Sequence, residues 1–340
     1  MERKAVTNRE RILNILNFKP ADRMPEIELM EWWDKTITRW SGEGLPDTTW
    51  PFLNIGPYWG LDTHRQFWVV SNSPELRSYK IKEINAFVRT EEDYDRIRPF
   101  IYPEDAVLDN WIEDELLEIK AAHDAGDIAV WMTLFGYFWW PRVLLGIEPH
   151  LYSFFEQPEL YHRICKDQME FHLRVIEEFC SVIKPDFMSI AEDMSYNHGP
   201  MISEKMYDEF IAPYYAEIIP ALHKHGMKVM VDTDGDVTML APWLLKSGVD
   251  GLLPMERRAG VDVCRLRELY PDMLMIGGFD KTVMHKGEEA MRKEFDYLIP
   301  AMKSGGFIPC VDHQTPPDVS MDNYRIYRKL QAEYCGKYHP

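Results

Sequence analysis

The chain lacks an apolar run long enough to cross a membrane, and its N-terminus lacks the apolar core of a secretion signal. Its five cysteines form no CxxC pair and no dense framework, which excludes a disulfide scaffold and indicates reduced thiols in the cytoplasm. No Gly/Ser linker, low-complexity segment or internal repeat divides the 340 residues. The sequence therefore predicts one domain over residues 1–340.

Positive charge is scarce relative to negative charge. The 38 basic residues face 56 acidic ones, and the formal net charge is −18 at pH 7. Such a surface repels phosphate backbones and anionic lipids, so nucleic acid and membranes are excluded as partners. Apolar residues are plentiful, because 46% of the chain is hydrophobic, which is enough for one large core.

Apolar segments with strand character alternate with helical patterns along the chain. This alternation is typical of parallel βαβ units, and the number of strands favours a single (β/α)8 TIM barrel over an open sheet. Residues 45–90 are predicted to form an elaboration near the active end of the barrel, with 66–90 as an antiparallel excursion. The predicted strands are 25–30, 128–135, 186–193, 228–235, 250–256, 273–280 and 306–312, and one further strand is expected.

Acidic residues stand at the ends of several predicted strands, where a parallel barrel places its active site. In the segment MKVMVDTDGDV, Asp232 and Asp234 alternate along one strand and therefore share a face. Asp236, beyond Gly235, is expected to cap the next helix. Other strand ends carry Glu192 with Asp193, Glu256, Asp280 with Lys281, and Asp312 with His313. Although aspartate also caps helices, acids at five strand ends favour one shared acidic site.

Several segments resemble the uroporphyrinogen decarboxylase superfamily, whose members are (β/α)8 barrels. The similarity runs from about residue 128 to 335 and includes FGYFWWPRVLLG, SEKMYDEFIAPYYAEIIPALHKHGMKV and the run that begins GGFDKTVMHKG. The superfamily contains both decarboxylases and corrinoid-linked methyltransferases. Its decarboxylases carry an arginine-rich R-Q-A-G-R-Y segment, whereas this chain has MEWWDKTITRW at residues 30–40. Because unpaired acids would repel a polycarboxylate, the closer match is the methyltransferase branch, in particular the methyltransferase component of ether-cleaving O-demethylases.

The resemblance implies two candidate sets of zinc ligands. Ether-cleaving methyltransferases of anaerobes follow the spacing E-x14-E-x20-H, which Glu28, Glu43 and His64 match. Two carboxylates and one imidazole leave a position open on a catalytic zinc, so these three are the leading ligands. Methanogen members bind zinc through an H-x-C pair and a further cysteine, and this chain has aspartates at both positions of that pair. The rival set is Asp232, Asp234 and His313.

The resemblance also implies transfer of a methyl group to the cobalt of a corrinoid (cobalamin-type) cofactor. A corrinoid-binding domain shows D-x-H-x-x-G, and this chain has only DTHRQF at residues 62–67, so the corrinoid is expected on a separate protein. Aromatic clusters within residues 32–68 and 135–140 favour a phenyl methyl ether as the donor. The expected catalytic residues are Asp232, Asp234, His313 and Glu192. The expected substrate-binding residues are Glu256, Lys281, Asp312 and Tyr137.

Two other functions remain open. One is a decarboxylase or lyase of a small carboxylic acid, which would use Lys281 or His313 as the acid and no corrinoid partner. The other is a non-catalytic barrel that binds a ligand, with the acids as helix caps. The oligomeric state is open as well, and a homodimer is one arrangement that the sequence allows.

Overall fold

The structure of the protein is a computed structural model that describes residues 5–30, 32–47, 55–69, 88–104, 108 and 110–340. In these residues the chain is an α/β fold built on a curled parallel sheet of seven strands, in the order β1-β2-β3-β6-β7-β8-β9. The strands are β1 (His64–Val69), β2 (Ala129–Phe135), β3 (Phe187–Ala191), β4 (Ser195–Tyr196), β5 (Gly199–Pro200), β6 (Lys228–Asp232), β7 (Gly251–Leu253), β8 (Leu274–Phe279) and β9 (Phe307–Val311). Strands β4 and β5 form a separate antiparallel hairpin.

Helices connect the strands and cover the outside of the sheet. They are α1 (Asn8–Leu16), α2 (Asp34–Gly42), α3 (Ile55–Tyr58), α4 (Glu91–Ile101), α5 (Asn110–Ala125), α6 (Trp139–Leu145), α7 (Ile147–Glu156), α8 (Pro158–Val182), α9 (Glu204–Phe210), α10 (Ala212–Lys224), α11 (Ala241–Lys246), α12 (Val263–Leu269), α13 (Glu288–Ser304) and α14 (Met321–Lys337). Short 3-10 helices cover Arg257–Ala259 and Lys281–Lys286. Within the described ranges, none of the helices combines the length and the apolar character needed to span a membrane.

The parallel register gives the sheet two distinct faces. Phe67 of β1 packs on Phe179 of α8, with ring centroids 5.7 Å apart. The strand residues that point the same way as Phe67 therefore lie on the face that the helices cover. Side chains of the opposite parity point to the inner face, because successive residues of a strand alternate. There Gln66 Nε2 donates to Thr133 Oγ1, which lies 2.8 Å from Ser189 Oγ. Inner-face residues of neighbouring strands are therefore brought into contact in layers.

The structure confirms six of the predicted strands with shorter bounds, and corrects the N-terminal part. The segment 25–30 forms no strand; instead, Glu26 O accepts a hydrogen bond from Asp62 N, and the Glu28 carboxylate accepts one from Val311 N. The strand missing from the prediction is β1, which pairs in parallel with β2 and begins inside the predicted elaboration. Its sequence HRQFWV hides the strand signal because its inner face is partly polar. The predicted excursion is therefore wrong at residues 66–69, and residues 70–87 lie outside the described part of the chain.

Candidate active site

Acidic side chains from neighbouring strand ends gather at the carboxyl edge of the sheet. Asp193 follows β3, Asp232 ends β6, Asp234 lies two residues further on, and Glu256 follows β7. Asp193 has a positive φ of 43° although it is not a glycine, so the chain bends sharply there. Burial raises the pKa of Asp193, and the backbone N–H of Asp234 partly offsets that shift. These four residues are named the acidic mouth below.

Asp232 is the most deeply placed member of the acidic mouth. Only 7% of the residue is exposed, and its carboxyl group accepts no hydrogen bond from any described residue. Burial raises the pKa of Asp232 well above its usual range, and the negative charges of Asp193 and Asp234 raise it further. Burial therefore favours the protonated form of the Asp232 carboxyl group, which is the form that can donate a proton.

Asp234 and His313 face each other at the more open side of the acidic mouth. Burial, together with the charges of Asp193 and Glu256, raises the pKa of Asp234 to about 7. His313 Nε2 lies 3.7 Å from Asp234 Oδ2, and burial lowers the pKa of His313, so the imidazole is neutral near pH 7. The pair therefore places a neutral imidazole beside a carboxyl group that titrates near pH 7.

Lys281 provides a cation beside the acidic mouth. Its Nζ donates to Glu256 Oε1 at 2.9 Å and lies 3.8 Å from Asp312 Oδ1. Although burial opposes the shift, this ion pair and the backbone N–H of Gly235 lower the pKa of Glu256, which stays charged. Burial raises the pKa of Asp312 to about 7, and its carboxyl group accepts the backbone N–H groups of Arg257 and Lys281. Asp312 therefore fixes the two loops that follow β7 and β8.

Glu192 is buried beneath the site and does not face it. It has no exposed surface, and its carboxyl group accepts the backbone N–H groups of Tyr137, Phe138 and Trp139 and the hydroxyl of Tyr215. Burial raises the pKa of Glu192 to about 7 in spite of these four donors. The arrangement fixes the start of α6 to the end of β3, which is a positioning role.

Tyr137, expected to bind substrate, is also buried away from the acidic mouth. Its ring contacts His172 of α8 and Tyr214 and Tyr215 of α10, with centroids 5.2–6.0 Å apart. Its hydroxyl group has no hydrogen-bond partner within the described residues. The chain turns at Gly136, so Tyr137 leaves the inner face that Phe135 occupies.

The leading metal ligands are held by other partners. His64 uses both ring nitrogens, since Nε2 lies 2.9 Å from Glu28 O and Nδ1 accepts from Trp131 Nε1 at 3.2 Å. Glu43 ends α2, where its carboxylate accepts from Arg39 Nε and from the backbone N–H of Met321. The carboxyl group of Glu28 accepts the backbone N–H of Val311. The structure therefore does not bring these three side chains together as ligands.

The rest of the described chain offers no substitute ligand set. Among those residues, no group of three or more His, Cys, Asp or Glu side chains is arranged to hold a metal ion, and this includes Asp232, Asp234 and His313. Zinc remains a prediction of the sequence, without a fitting donor set in the described residues. The acidic mouth fits a proton donor better, because burial raises the pKa values of Asp193, Asp232 and Asp234.

Glu28 gives a pH-dependent test of these burial effects. Burial raises the pKa of Glu28 to about 7, so the folded chain keeps a proton that the unfolded chain loses above its ordinary pKa of 4.5. The free energy of unfolding should therefore fall as the pH rises from about 4.5 to about 7. Glu28→Gln should match the parent near pH 4 and exceed it by roughly 3 kcal/mol near pH 8, measured by denaturant unfolding.

The matched control is Glu43→Gln. The backbone N–H of Met321 and the guanidinium of Arg39 lower the pKa of Glu43, so its charged form stabilises the folded chain above that pKa. This variant should be less stable than the parent near pH 8, the opposite sign. Equal pH profiles for the Glu28→Gln variant and the parent would contradict the placement of Glu28.

Phe135 and Trp68 lie on the inner face, and Phe135 shares a register layer with Asp232. Trp68 of β1 is 38% exposed, and its ring centroid lies 6.0 Å from that of Phe135 of β2. Trp140 stacks on Phe135 at 5.4 Å. By contrast, Trp32, Trp40 and Trp59 pack around Tyr324 of α14 and belong to the core. The group formed by Trp68, Phe135 and Trp140 is named the aromatic wall below.

These features define an α/β protein with a barrel-type parallel sheet and a cluster of buried acids at the carboxyl ends of its strands. The sequence profile described as "Uroporphyrinogen decarboxylase (URO-D)" matches residues 128–334, more than half of the chain. The protein belongs to the URO-D family.

One solved structure supports the fold. A methyltransferase from Methanosarcina mazei superposes with a TM-score of 0.64 at 14% identity, covering 96% of this chain and 99% of that one. An N-acetylneuraminate lyase from Mycoplasma synoviae matches at 13% identity, covering 80% of this chain and 79% of that one. Its TM-score of 0.32 is too low to indicate a shared fold. No curated protein matches the chain.

Proposed function

We propose that the protein transfers a methyl group from a phenyl methyl ether to the cobalt of a corrinoid carried by a separate protein. The observation that carries this proposal is the position of Asp232, a buried carboxyl group on the same inner face as Phe135 of the aromatic wall. The fold shared with the M. mazei methyltransferase and the family membership are consistent with it. A neutral ether adds no charge to the buried acidic mouth, whereas a polycarboxylate would bring further negative charge into it.

The chemistry required of this chain is protonation of a leaving oxygen. The corrinoid, when docked, supplies the electron pair that forms the new bond to the methyl carbon. The carbon–oxygen bond breaks, its electron pair stays on the oxygen, and Asp232 gives that oxygen a proton, so a phenol leaves instead of a phenolate. Asp234 and His313 return a proton to Asp232 from solvent, and Lys281 keeps Glu256 from competing for it.

We also propose that the sheet closes as a (β/α)8 barrel, with residues 24–30 in the eighth position. This segment contacts both edges of the sheet: His64 of β1 contacts Glu28 O, and Val311 of β9 donates to the Glu28 carboxyl group. Closure would place β1, with Trp68, around the same mouth as Asp232.

The test is a mixture of the protein, a reduced corrinoid protein and a panel of methyl donors, followed by the cobalt spectrum. The proposal expects methoxybenzenes to convert the reduced cobalt spectrum to that of methylcobalt. Methanol and methylamines should react far more slowly, because they do not fill the space beside the aromatic wall. A cobalt spectrum that no donor in the panel changes would contradict the proposal.

The partner would dock on exposed apolar residues at the rim of the acidic mouth. Tyr196, Met201 and Met239 are 49%, 38% and 61% exposed, and they follow the strand ends that carry Asp193 and Asp232. The two loops pack together, since Asp236 N donates to Tyr196 O. Exposed large apolar side chains grouped at a site are typical of protein interfaces.

Met239→Glu should slow methyl transfer to the corrinoid protein by about tenfold, because it places a charge in the centre of this apolar rim. The rate with free reduced cobalamin should stay unchanged, since free cobalamin needs no docking surface. Leu117→Glu, on the 57%-exposed position of α5, is the matched control and should change neither rate. Equal loss with both acceptors would show that Met239 supports the site itself and not the docking of a partner.

A further inference from the structure

The register of three neighbouring strands, β2, β3 and β6, leaves a gap beside the side chain of Asp232. Phe135 of β2 is the Cα partner of Ala191 of β3, and Ala191 is the partner of Asp232 of β6. Partners in a parallel ladder point to the same face, so these three side chains line one layer of the inner face. Ala191 is the smallest of them and lies in the middle. Because neighbouring strands are about 4.8 Å apart, Phe135 and Asp232 stand roughly 10 Å apart across it.

The two sides of this gap differ in chemistry. On one side, Phe135 is fixed between Trp140, which stacks on it at an interplanar angle of 14°, and the partly exposed Trp68. On the other side, Asp232 presents a carboxyl group that accepts no hydrogen bond from any described residue. Ala191 itself retains 9% exposure, so this layer of the inner face is not completely closed to solvent.

We propose that Ala191 determines donor specificity by forming the base of a slot for one aromatic ring, bounded by Phe135 and Asp232. This inference rests on the proposed function and adds the donor's class: a monocyclic methoxybenzene whose methoxy oxygen faces Asp232. The ring stacks against Trp68 and Phe135, and the methoxy oxygen lies beside the Asp232 carboxyl group. A side chain larger than alanine at 191 fills the slot, whereas glycine widens it.

Backbone hydrogen bonds hold the main chain at residue 191, so the size of its side chain should affect the slot more than the fold. Ala191 O accepts the backbone N–H of Gly136, and its backbone pairs with β2 and β6, so the main chain is fixed whatever the side chain. The methyl group points to the inner face and away from the helices that cover the outer face. A larger side chain here therefore extends into the slot.

The experiment measures binding of methoxybenzene by calorimetry, without a corrinoid, to the parent and to three variants. Ala191→Leu should weaken binding by about tenfold or more, since its side chain occupies the ring position. Ala191→Gly should keep methoxybenzene and gain binding of 2-methoxynaphthalene, which the parent excludes. Ala121→Leu, at an exposed position of α5, is the matched control and should bind as the parent does.

The possible results separate the slot at Ala191 from the proposed function. If the folded Ala191→Leu variant binds methoxybenzene as tightly as the parent, the slot is overturned. If Ala191→Leu does not fold, the Ala191→Gly variant decides, and failure to gain 2-methoxynaphthalene overturns the slot. If the parent binds methoxybenzene but transfers no methyl group to cobalt, the slot stands and the proposed function falls. If the parent transfers methyl groups only from donors without a ring, transfer to cobalt stands, but the phenyl methyl ether donor and the slot both fall.

Discussion

Asp232→Asn should reduce the turnover of methyl transfer by about 10²-fold or more, the usual scale for losing an acid that protonates a leaving group. Asparagine keeps the shape of the side chain but carries no transferable proton. The parent should also lose turnover as the pH rises, because burial and the neighbouring carboxylates keep the pKa of Asp232 raised and the donating form is lost above that pKa. Initial rates of cobalt methylation over a pH series measure both effects.

Asp236→Asn is the matched control for that substitution. Asp236 was expected to cap the next helix, but α11 begins only at Ala241, and Asp236 Oδ1 accepts the backbone N–H of Thr238 at 2.9 Å in a preceding turn. Its loss should cost about 1 kcal/mol of unfolding free energy and little turnover. If Asp236→Asn impaired turnover as much as Asp232→Asn, the assignment of the proton donor would be wrong.

Gly136→Ala should destabilise the fold by at least about 3 kcal/mol, because there is no room for a β-carbon. A methyl group at this position would lie 2.0 Å from Glu192 Cδ and 2.2–2.4 Å from the two carboxyl oxygens. Glu192 cannot move aside without giving up the backbone N–H groups that it accepts at the start of α6. Denaturant unfolding of the variant measures the loss.

Gly336→Ala provides the control for removing a glycine. A β-carbon at Gly336 would meet nothing within 4 Å, and the residue lies in α14. Alanine is the better helix former, so this variant should be more stable than the parent by up to about 1 kcal/mol. A Gly136→Ala variant as stable as the parent would show that Glu192 does not hold the β2–α6 turn in the way described.

The alternation of side chains along a strand predicts much of the site, provided that it is followed on β3 as well as on β6. Alternation placed Asp232 and Asp234 together, and the structure shows both in the acidic mouth. The same reasoning on β3 assigns Asp193, two residues beyond Ala191, to the inner face and Glu192 to the outer one. The expectation that Glu192 is catalytic does not follow this alternation. Its carboxyl group lies under the site, where it accepts backbone N–H groups. Parity was the signal that would have identified Asp193.

Two other features could not be derived from sequence patterns. The spacing that joins Glu28, Glu43 and His64 contains no information on which partners those side chains meet in the fold. Glu43 pairs with Arg39 one helical turn earlier, and His64 pairs with Trp131 of the neighbouring strand. Strand β1 was missed because Gln66 faces inward and pairs with Thr133, so its polar character obscures the strand pattern.

The central claim is that the chain moves an intact methyl group from an aromatic ether to cobalt. The most direct measurement is a single turnover with a methoxybenzene that carries a deuterated methyl group, reduced corrinoid protein and the parent chain, analysed by mass spectrometry. The account predicts labelled methylcobalamin and free phenol in equal amounts. Unlabelled cobalt, together with release of carbon dioxide when a benzoic acid replaces the ether, would contradict the account and identify a decarboxylase.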